Sequence, residues 1–142
     1  MTDPDYDDPE IEASWISGTR SRVGEYLSRQ ALKYGPVGDW PAWHVAPVVS
    51  VWAVQSLNCR GVGWWVITGD LPTDYVHAAG IESPREAVAA FACRWADYVA
   101  ACGEGRPPAE YTIGDGSDEL LPPLESRARA LQEWASDDEL WA

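Results

Sequence analysis

Five of the nine tryptophans in this chain lie between residues 40 and 65, in a segment where Arg60 is the only residue with a formal charge. Aromatic side chains bury more apolar area than any others. A segment of this kind therefore forms either the core of the fold or a surface that a partner covers. No metal or disulfide is needed to complete a core, because a domain of 142 residues buries roughly two-thirds of the surface that its unfolded form exposes.

The Trp-rich segment predicts a β-hairpin. Residues 48–55 and 62–68 are rich in Val, Ile and Trp, and residues 57–61 supply turn-forming Asn and Gly between them. Both strands are apolar on both faces, which predicts a sheet covered on two sides by helices or by another subunit. Residues 35–47 contain three prolines and two glycines and predict a loop. Residues 69–75 predict a sharp turn that ends the sheet.

Three helices are predicted beside the hairpin. Apolar residues at three- and four-residue steps predict the first over residues 9–34, and a Gly-Pro pair ends it. A Ser-Pro-Arg-Glu capping box opens the second over residues 84–102, and the third begins near residue 123. Residues 111–113 are a candidate third strand. We therefore expect an α+β fold, with a central antiparallel β-hairpin of two or three strands packed by three α-helices in a single domain.

The formal net charge of −13 is concentrated at the two ends of the chain. Residues 1–12 carry six acids and no base, and residues 115–142 carry eight acids and two bases, whereas residues 13–114 carry nine acids and eight bases. Acidic ends are most often solvated tails that keep a protein in solution. Alternatively, they steer the chain toward a basic partner. Direct binding of nucleic acid is disfavoured, because phosphate contacts need clustered Lys and Arg and the chain has a single lysine, Lys33.

The charge pattern also predicts the organisation of the chain. We expect residues 1–12 to form a disordered acidic tail and residues 13–142 to form one α+β domain that ends in an acidic helical segment. The candidate partner-binding residues are the acids of the two ends: Asp3, Asp5, Asp7, Asp8, Asp137, Asp138 and Glu139. The three cysteines are an odd number without a CxxC pair, and the chain shows neither a signal peptide nor an apolar span. We therefore expect a reduced protein of the cytoplasm that does not enter a membrane.

A second set of candidates would line a Trp-rich pocket: Trp43, His44, Trp52, Trp64, Trp65, Asp70, Asp74 and Tyr75. His44 is a candidate general base if Asp70 or Asp74 lies within hydrogen-bond reach. The favoured interpretation is a partly buried histidine bonded to the backbone. Asp70 and Asp74 are either paired carboxylates or, as we prefer, caps of the turn at residues 69–75.

No signature of catalysis or of a bound cofactor is evident in the sequence. His44, Cys59 and His77 are too scattered to predict a metal site. There is no phosphate-binding glycine loop and no nucleophile elbow. We therefore predict no cofactor, no metal and no enzymatic activity.

Four stretches of sequence together resemble one small bacterial family. They are PAWHVAP at residues 41–47, VWA at 51–53, GWWVITGDLPTDY at 63–75 and PREA at 84–87. The family they resemble is domain of unknown function 4826, over roughly residues 13–100. The resemblance implies no activity. Members of that family look like stand-alone acidic cytosolic proteins, similar in size and charge to the immunity proteins that neutralise interbacterial toxins.

Two functions from different classes follow as hypotheses. The first is an immunity protein that binds a cognate toxin with a basic surface and occludes it, a role that needs no catalytic residue and uses Trp and Tyr as interface hot spots. The second is a small-molecule-binding protein or an unrecognised enzyme that uses the Trp-lined pocket with His44 and Asp70. A homodimer that covers the two-sided apolar sheet is compatible with either.

Overall fold

The structure is a computed structural model that describes residues 4–30, 32–57, 61–108, 111, 113 and 118–141. Contacts divide the chain into two compact units, Met1–Ala79 and Gly80–Ala142. Within the described residues, the first unit contains one α-helix and a five-stranded antiparallel sheet, and the second contains two α-helices. The chain therefore has the predicted α+β class.

Helix α1 (Pro9–Arg29) begins where the periodicity predicts. Asp8 caps it, since its Oδ1 accepts a hydrogen bond from the Glu10 N–H at 2.9 Å. Residues 9–12, predicted to belong to a disordered tail, form the first turn of this helix. The helix ends at Arg29 and not near residue 34, so its predicted C-terminal boundary is wrong.

The sheet contains the predicted hairpin and three further strands. The strands are β1 (Tyr34–Val37), β2 (Trp43–Val45), β3 (Val49–Ser56), β4 (Val62–Gly69) and β5 (Leu71–His77). β3 and β4 form the hairpin, with Val49 opposite Gly69 and Val54 opposite Trp64. The order across the sheet is β1, β3, β4, β5, and β2 also pairs with β3. Since β4 occupies one side of β3, β1 and β2 share the other side.

Three of these strands replace predicted irregular structure. The predicted loop at residues 35–47 contains most of β1 and all of β2, and the predicted turn at residues 69–75 contains most of β5. Pro36 lies in β1 and Pro72 in β5, which are the two ends of the strand order. An edge strand tolerates proline because the missing N–H need not complete a ladder of hydrogen bonds. The candidate strand at 111–113 lies partly outside the described residues.

The turn between β4 and β5 depends on Gly69. This residue has a φ of +148°, and a Cβ atom built on it would lie 2.5 Å from the carbonyl oxygen of Val48. The neighbouring Asp70 N–H donates to the same Val48 carbonyl at 2.9 Å. Gly69 itself pairs with Leu71, so the chain reverses at once and adds β5 to the sheet instead of ending it.

The core of the first unit lies between α1 and one face of the sheet. It consists of Ile16, Val23, Leu27, Trp52, Val54 and Val66. Successive residues of a strand point to opposite faces. Accordingly, Val49, Val51, Trp65 and Ile67 lie on the other face, and they are buried as well. Both faces of the hairpin are therefore apolar and buried, as the sequence predicts.

The second unit contains α2 (Pro84–Gly103) and α3 (Leu121–Ser136) with two short 3₁₀ helices, Asp118–Leu120 and Asp138–Trp141. Both predicted helices are confirmed. Ser83 Oγ accepts from the Glu86 N–H at 3.2 Å, as a capping box requires. The Arg85 guanidinium donates to the Ala135 carbonyl at 2.7 Å and to Asp138 Oδ1 at 2.6 Å, which joins the start of α2 to the end of α3.

Candidate functional site

The eight residues predicted to line one pocket lie on two faces of the sheet. The face that α1 covers carries four of them, because the strand register places their positions on the same side of the sheet: His44, Trp52, Trp64 and Tyr75. Trp43, Trp65 and Asp74 occupy alternate positions and lie on the opposite face. Asp70 is exposed in the turn between β4 and β5. These eight side chains therefore do not converge on a single cavity.

Trp52 is a core residue. Its side chain is fully buried, and its indole Nε1–H donates to Ser50 Oγ at 2.9 Å. The Ser50 hydroxyl in turn donates to the Thr68 carbonyl at 2.9 Å. Every polar atom in this chain of hydrogen bonds has a partner, which is what the burial of an indole N–H requires.

The carboxylate that His44 contacts is neither of its two candidates, Asp70 and Asp74. His44 Nε2 lies 3.5 Å from Glu12 Oε2, a residue of the first turn of α1, and neither Asp70 nor Asp74 takes this position. Asp74 lies within β5 opposite Ile67 with 1% of its surface exposed, so the predicted turn is a strand at this position. Because β2 places His44 beside α1, the carboxylate that contacts the imidazole comes from that helix.

His44 also joins two tryptophans. The centroid of its ring lies 6.4 Å from that of Trp15 on α1 and 5.7 Å from that of Trp40, which meets it edge-on at 87°. Trp40 is 51% exposed. We call Glu12, Trp15, Trp40 and His44 the α1–β2 surface.

A shallow groove of about 340 Å³ adjoins the α1–β2 surface. It is lined by Pro4, Tyr6, Glu10, Ile11, Ser14 and Trp15. Trp15 belongs to both, so the groove and the α1–β2 surface are continuous. Its other side chains combine an apolar floor with one carboxylate, Glu10. This combination of exposed aromatic and apolar groups next to polar ones is typical of a protein interface.

Residues 4–19 of the first unit carry five acids and no base. The first base in the chain is Arg20, and its guanidinium donates to the carbonyls of Gly38 at 2.8 Å and Val37 at 3.0 Å. It also lies 3.8 Å from the exposed Asp39 carboxylate. The arginine nearest in sequence to the acidic N-terminal residues is thus hydrogen-bonded to backbone carbonyls of the fold.

Several acids predicted to bind a partner have roles within the fold. Asp5 Oδ1 accepts from the Asp7 N–H at 3.1 Å and Asp8 caps α1. In the second unit, Asp137 Oδ1 accepts from the Glu139 N–H at 3.1 Å, and Asp138 forms the ion pair with Arg85 described above. Asp3 lies outside the described residues. All the others are exposed, so their binding role stays a prediction.

One tyrosine of the second unit has a shifted pKa. Burial, followed by a hydrogen bond with the Cys102 side chain, raises the pKa of Tyr98 above its usual value. The ring of Tyr98 lies 5.7 Å from that of Tyr111, over which the Arg94 guanidinium carbon stands at 3.6 Å. This cluster is a packed cation–π and hydrogen-bond contact within the unit.

Among the residues that the structure describes, no group of three or more His, Cys, Asp or Glu side chains is arranged to hold a metal ion. No helix in the described ranges is both long enough and apolar enough to cross a bilayer.

A family model described as domain of unknown function (DUF4826) matches residues 10–141. The chain belongs to the DUF4826 family. The match extends well beyond residues 13–100, where the motifs suggested the resemblance, and so this DUF4826 protein carries the family's features in both of its compact units. Comparison with curated proteins and with solved structures finds no match.

Sequence reasoning missed the residues that surround His44 in this DUF4826 protein. The sequence pattern places Glu12 in the predicted acidic tail and Trp15 among the apolar residues whose spacing predicts α1. Their spacing of three residues does place them on one side of a helix. Trp40 belongs to the Trp-rich segment but lies in the predicted loop. The sequence therefore shows that Glu12 and Trp15 share one side of α1, whereas the approach of β2 to α1 depends on the folded chain.

Proposed function

We propose that this DUF4826 protein binds a basic protein partner, as an immunity protein binds and occludes a cognate interbacterial toxin. The observation that carries the proposal is the unbalanced charge of the first unit's N-terminal region. Asp5, Asp7, Asp8 and Glu10 are exposed, and among the described residues none of these four forms an ion pair with an arginine or lysine.

Electrostatic attraction would act mainly on the association step. The four carboxylates lie within six residues of one another, so their fields add over the Debye length of about 8 Å at physiological ionic strength. A surface of one sign raises the rate at which an oppositely charged protein arrives and orients it on arrival. The exposed tryptophan of the neighbouring α1–β2 surface would then supply contact area.

The proposal includes a location in the cytoplasm. Cys93 and Cys102, the two cysteines that the structure describes, are free thiols, which suits a reducing compartment. The alternative function, a small-molecule site or an unrecognised enzyme, has less support, because its proposed lining residues lie on two faces of the sheet. Its remaining element is His44, which lies on the α1–β2 surface.

The experiment first identifies the partner and then changes the charge. The tagged chain is co-expressed with the genes encoded beside its own, and a protein retained at low salt is purified and titrated against it by calorimetry at several salt concentrations. The test variant replaces Asp5, Asp7 and Asp8 by Asn, which keeps the side-chain oxygens that cap the backbone. A control variant replaces three other exposed acids, Glu25, Glu82 and Glu133, by Gln.

We expect the Asn variant to bind with about tenfold lower affinity at low salt, because it associates more slowly, and to show a weaker dependence of affinity on salt. The control loses the same charge elsewhere and should change much less. Circular dichroism should show the same helix content in all three proteins. A partner whose affinity is independent of salt, or is reduced equally by both variants, would contradict the proposal.

A further inference from the structure

We infer that the α1–β2 surface binds an arginine side chain of the basic partner, with the guanidinium placed against the Glu12 carboxylate and the exposed Trp40 ring. This inference rests on the proposed function and names the side chain that the surface recognises. Three properties of the surface support it: a carboxylate with spare acceptor capacity, an exposed indole that contacts the same imidazole, and the lack of an arginine or lysine among the residues that define it.

Glu12 has room for a second partner. Its contact with His44 Nε2 is 3.5 Å long, which exceeds the usual length of an N–H···O hydrogen bond. Its side chain remains 35% exposed, and a carboxylate offers about four lone-pair positions. The N–H groups of a guanidinium pair with both oxygens of a carboxylate at once, which makes this a stronger partner than a single imidazole nitrogen.

Trp40 provides the second contact. Its ring stands at 87° to the His44 ring with the centroids 5.7 Å apart, and half of its surface is exposed. The face of an indole attracts cations more strongly than that of any other side chain. Both Glu12 and Trp40 contact the same His44 ring, which places the carboxylate and the indole on one small area of the protein.

Arginine fits this area better than lysine does. A guanidinium is planar, so it can lie flat on an indole while its edge donates two hydrogen bonds to a carboxylate, whereas an ammonium group makes only one of these contacts well. The chain does not supply such a group itself. Arg20, the base nearest to the surface in sequence, is already bonded to the Val37 and Gly38 carbonyls.

The test uses the full chain labelled with ¹⁵N and three short peptides, acetyl-Gly-X-Gly-amide, in which X is arginine, lysine or citrulline. Titration is followed by NMR at constant ionic strength through the indole N–H signals of Trp15 and Trp40, and Trp40→Phe assigns the second signal. We expect the arginine peptide to bind most tightly and the uncharged citrulline peptide at least about tenfold more weakly.

Two variants locate the binding. Glu12→Gln should weaken the arginine peptide about tenfold, and Trp40→Ala about two- to fivefold. Glu25→Gln removes the same charge from an exposed position further along α1 and should leave the affinity unchanged. Equal binding of the arginine and citrulline peptides, or equal effects of the two Glu→Gln variants, would overturn the inference.

The outcomes also separate this inference from the proposed function. A captured basic partner whose affinity follows Asp5, Asp7 and Asp8 but ignores Glu12→Gln would overturn the arginine site and leave the proposed function standing. Arginine-selective binding at Trp40 that Glu12→Gln weakens about tenfold would support the site even where co-expression yields no basic partner, a result that counts against the proposed function alone.

Discussion

Ser50 supports the buried indole of Trp52, and replacing it by alanine tests how much that support contributes to stability. The Ser50 hydroxyl accepts from the Trp52 indole and donates to the Thr68 carbonyl, each at 2.9 Å, and both Ser50 and Trp52 are fully buried. Ser50→Ala leaves the indole N–H without an acceptor, at a cost of about 1–3 kcal/mol, and removes the second hydrogen bond, worth about 1 kcal/mol. We expect a total loss of about 2–4 kcal/mol.

A double-mutant cycle with Trp52→Phe isolates the indole contact. Trp52→Phe alone should cost about 2 kcal/mol, because it leaves a small cavity in the core. In the Trp52→Phe background, however, Ser50→Ala leaves no N–H group without an acceptor and should cost only about 1 kcal/mol. The two substitutions should therefore be coupled by about 1–3 kcal/mol.

The free energy of unfolding of the four proteins is measured by urea titration, followed by circular dichroism at 222 nm because nine tryptophans make fluorescence difficult to assign. Ser28→Ala is a suitable control, since this exposed serine of α1 also donates to a backbone carbonyl, that of Gly24, at 2.9 Å. It should cost no more than about 0.5 kcal/mol. If Ser50→Ala costs the same in both backgrounds, the indole does not depend on Ser50 and the reasoning is refuted.

Three further predictions concern the turn at Gly69, the cap of α1 and Tyr98. Gly69→Ala should destabilise the chain by more than about 1 kcal/mol, since its Cβ would meet the Val48 carbonyl at a strained φ. Gly18→Ala, where a Cβ has open space on α1, should stabilise the chain by about 0.5–1 kcal/mol in the same urea titrations. The opposite order would be incompatible with the turn described. Asp8→Ala should lower stability by about 0.5–2 kcal/mol and Asp8→Asn by much less, because Asn retains the capping oxygen; equal losses in thermal unfolding would show that charge and not the cap matters. The raised pKa of Tyr98 keeps a proton on the folded chain that the unfolded chain loses above roughly pH 10. The contribution of Tyr98 to the unfolding free energy is therefore complete below that pH and is lost as pH rises further. Tyr98→Phe should make the unfolding free energy fall less steeply above pH ~10, and an unchanged slope would contradict the shift.

The hairpin could be predicted from the sequence because its two strands are long and apolar. β1 and β5 could not, since each contains a proline, and proline is compatible with a strand only at an edge, which is a property of the assembled sheet. The end of α1 was misplaced for a related reason. Tyr34 continues the helical spacing, yet it lies in β1 and packs on the same core, so its apolar character fits either element.

The prediction of a Trp-lined pocket did not apply the two-residue periodicity of a strand, which the sequence itself shows. Trp64 and Trp65 are adjacent in a predicted strand, and adjacent residues of a strand point to opposite faces. They could not line one cavity from the same side of the sheet. The contact between Glu12 and His44 is different, because it joins residues far apart in the chain and no local pattern indicates which carboxylate reaches the imidazole.

The arrangement of β1 and β2 has a consequence for the behaviour of the chain at high concentration. β3 has more buried residues than any other strand. On the side away from β4 it pairs with two short strands, β1 and β2, and between these the Gly38 and Ala42 N–H groups donate to the Ala53 and Val51 carbonyls. A long apolar strand with free backbone groups is a template for aggregation, and short or proline-containing edges remove that template. Variants that detach β1 or β2 should therefore expose β3 and form fibrils or precipitates before the rest of the fold is lost.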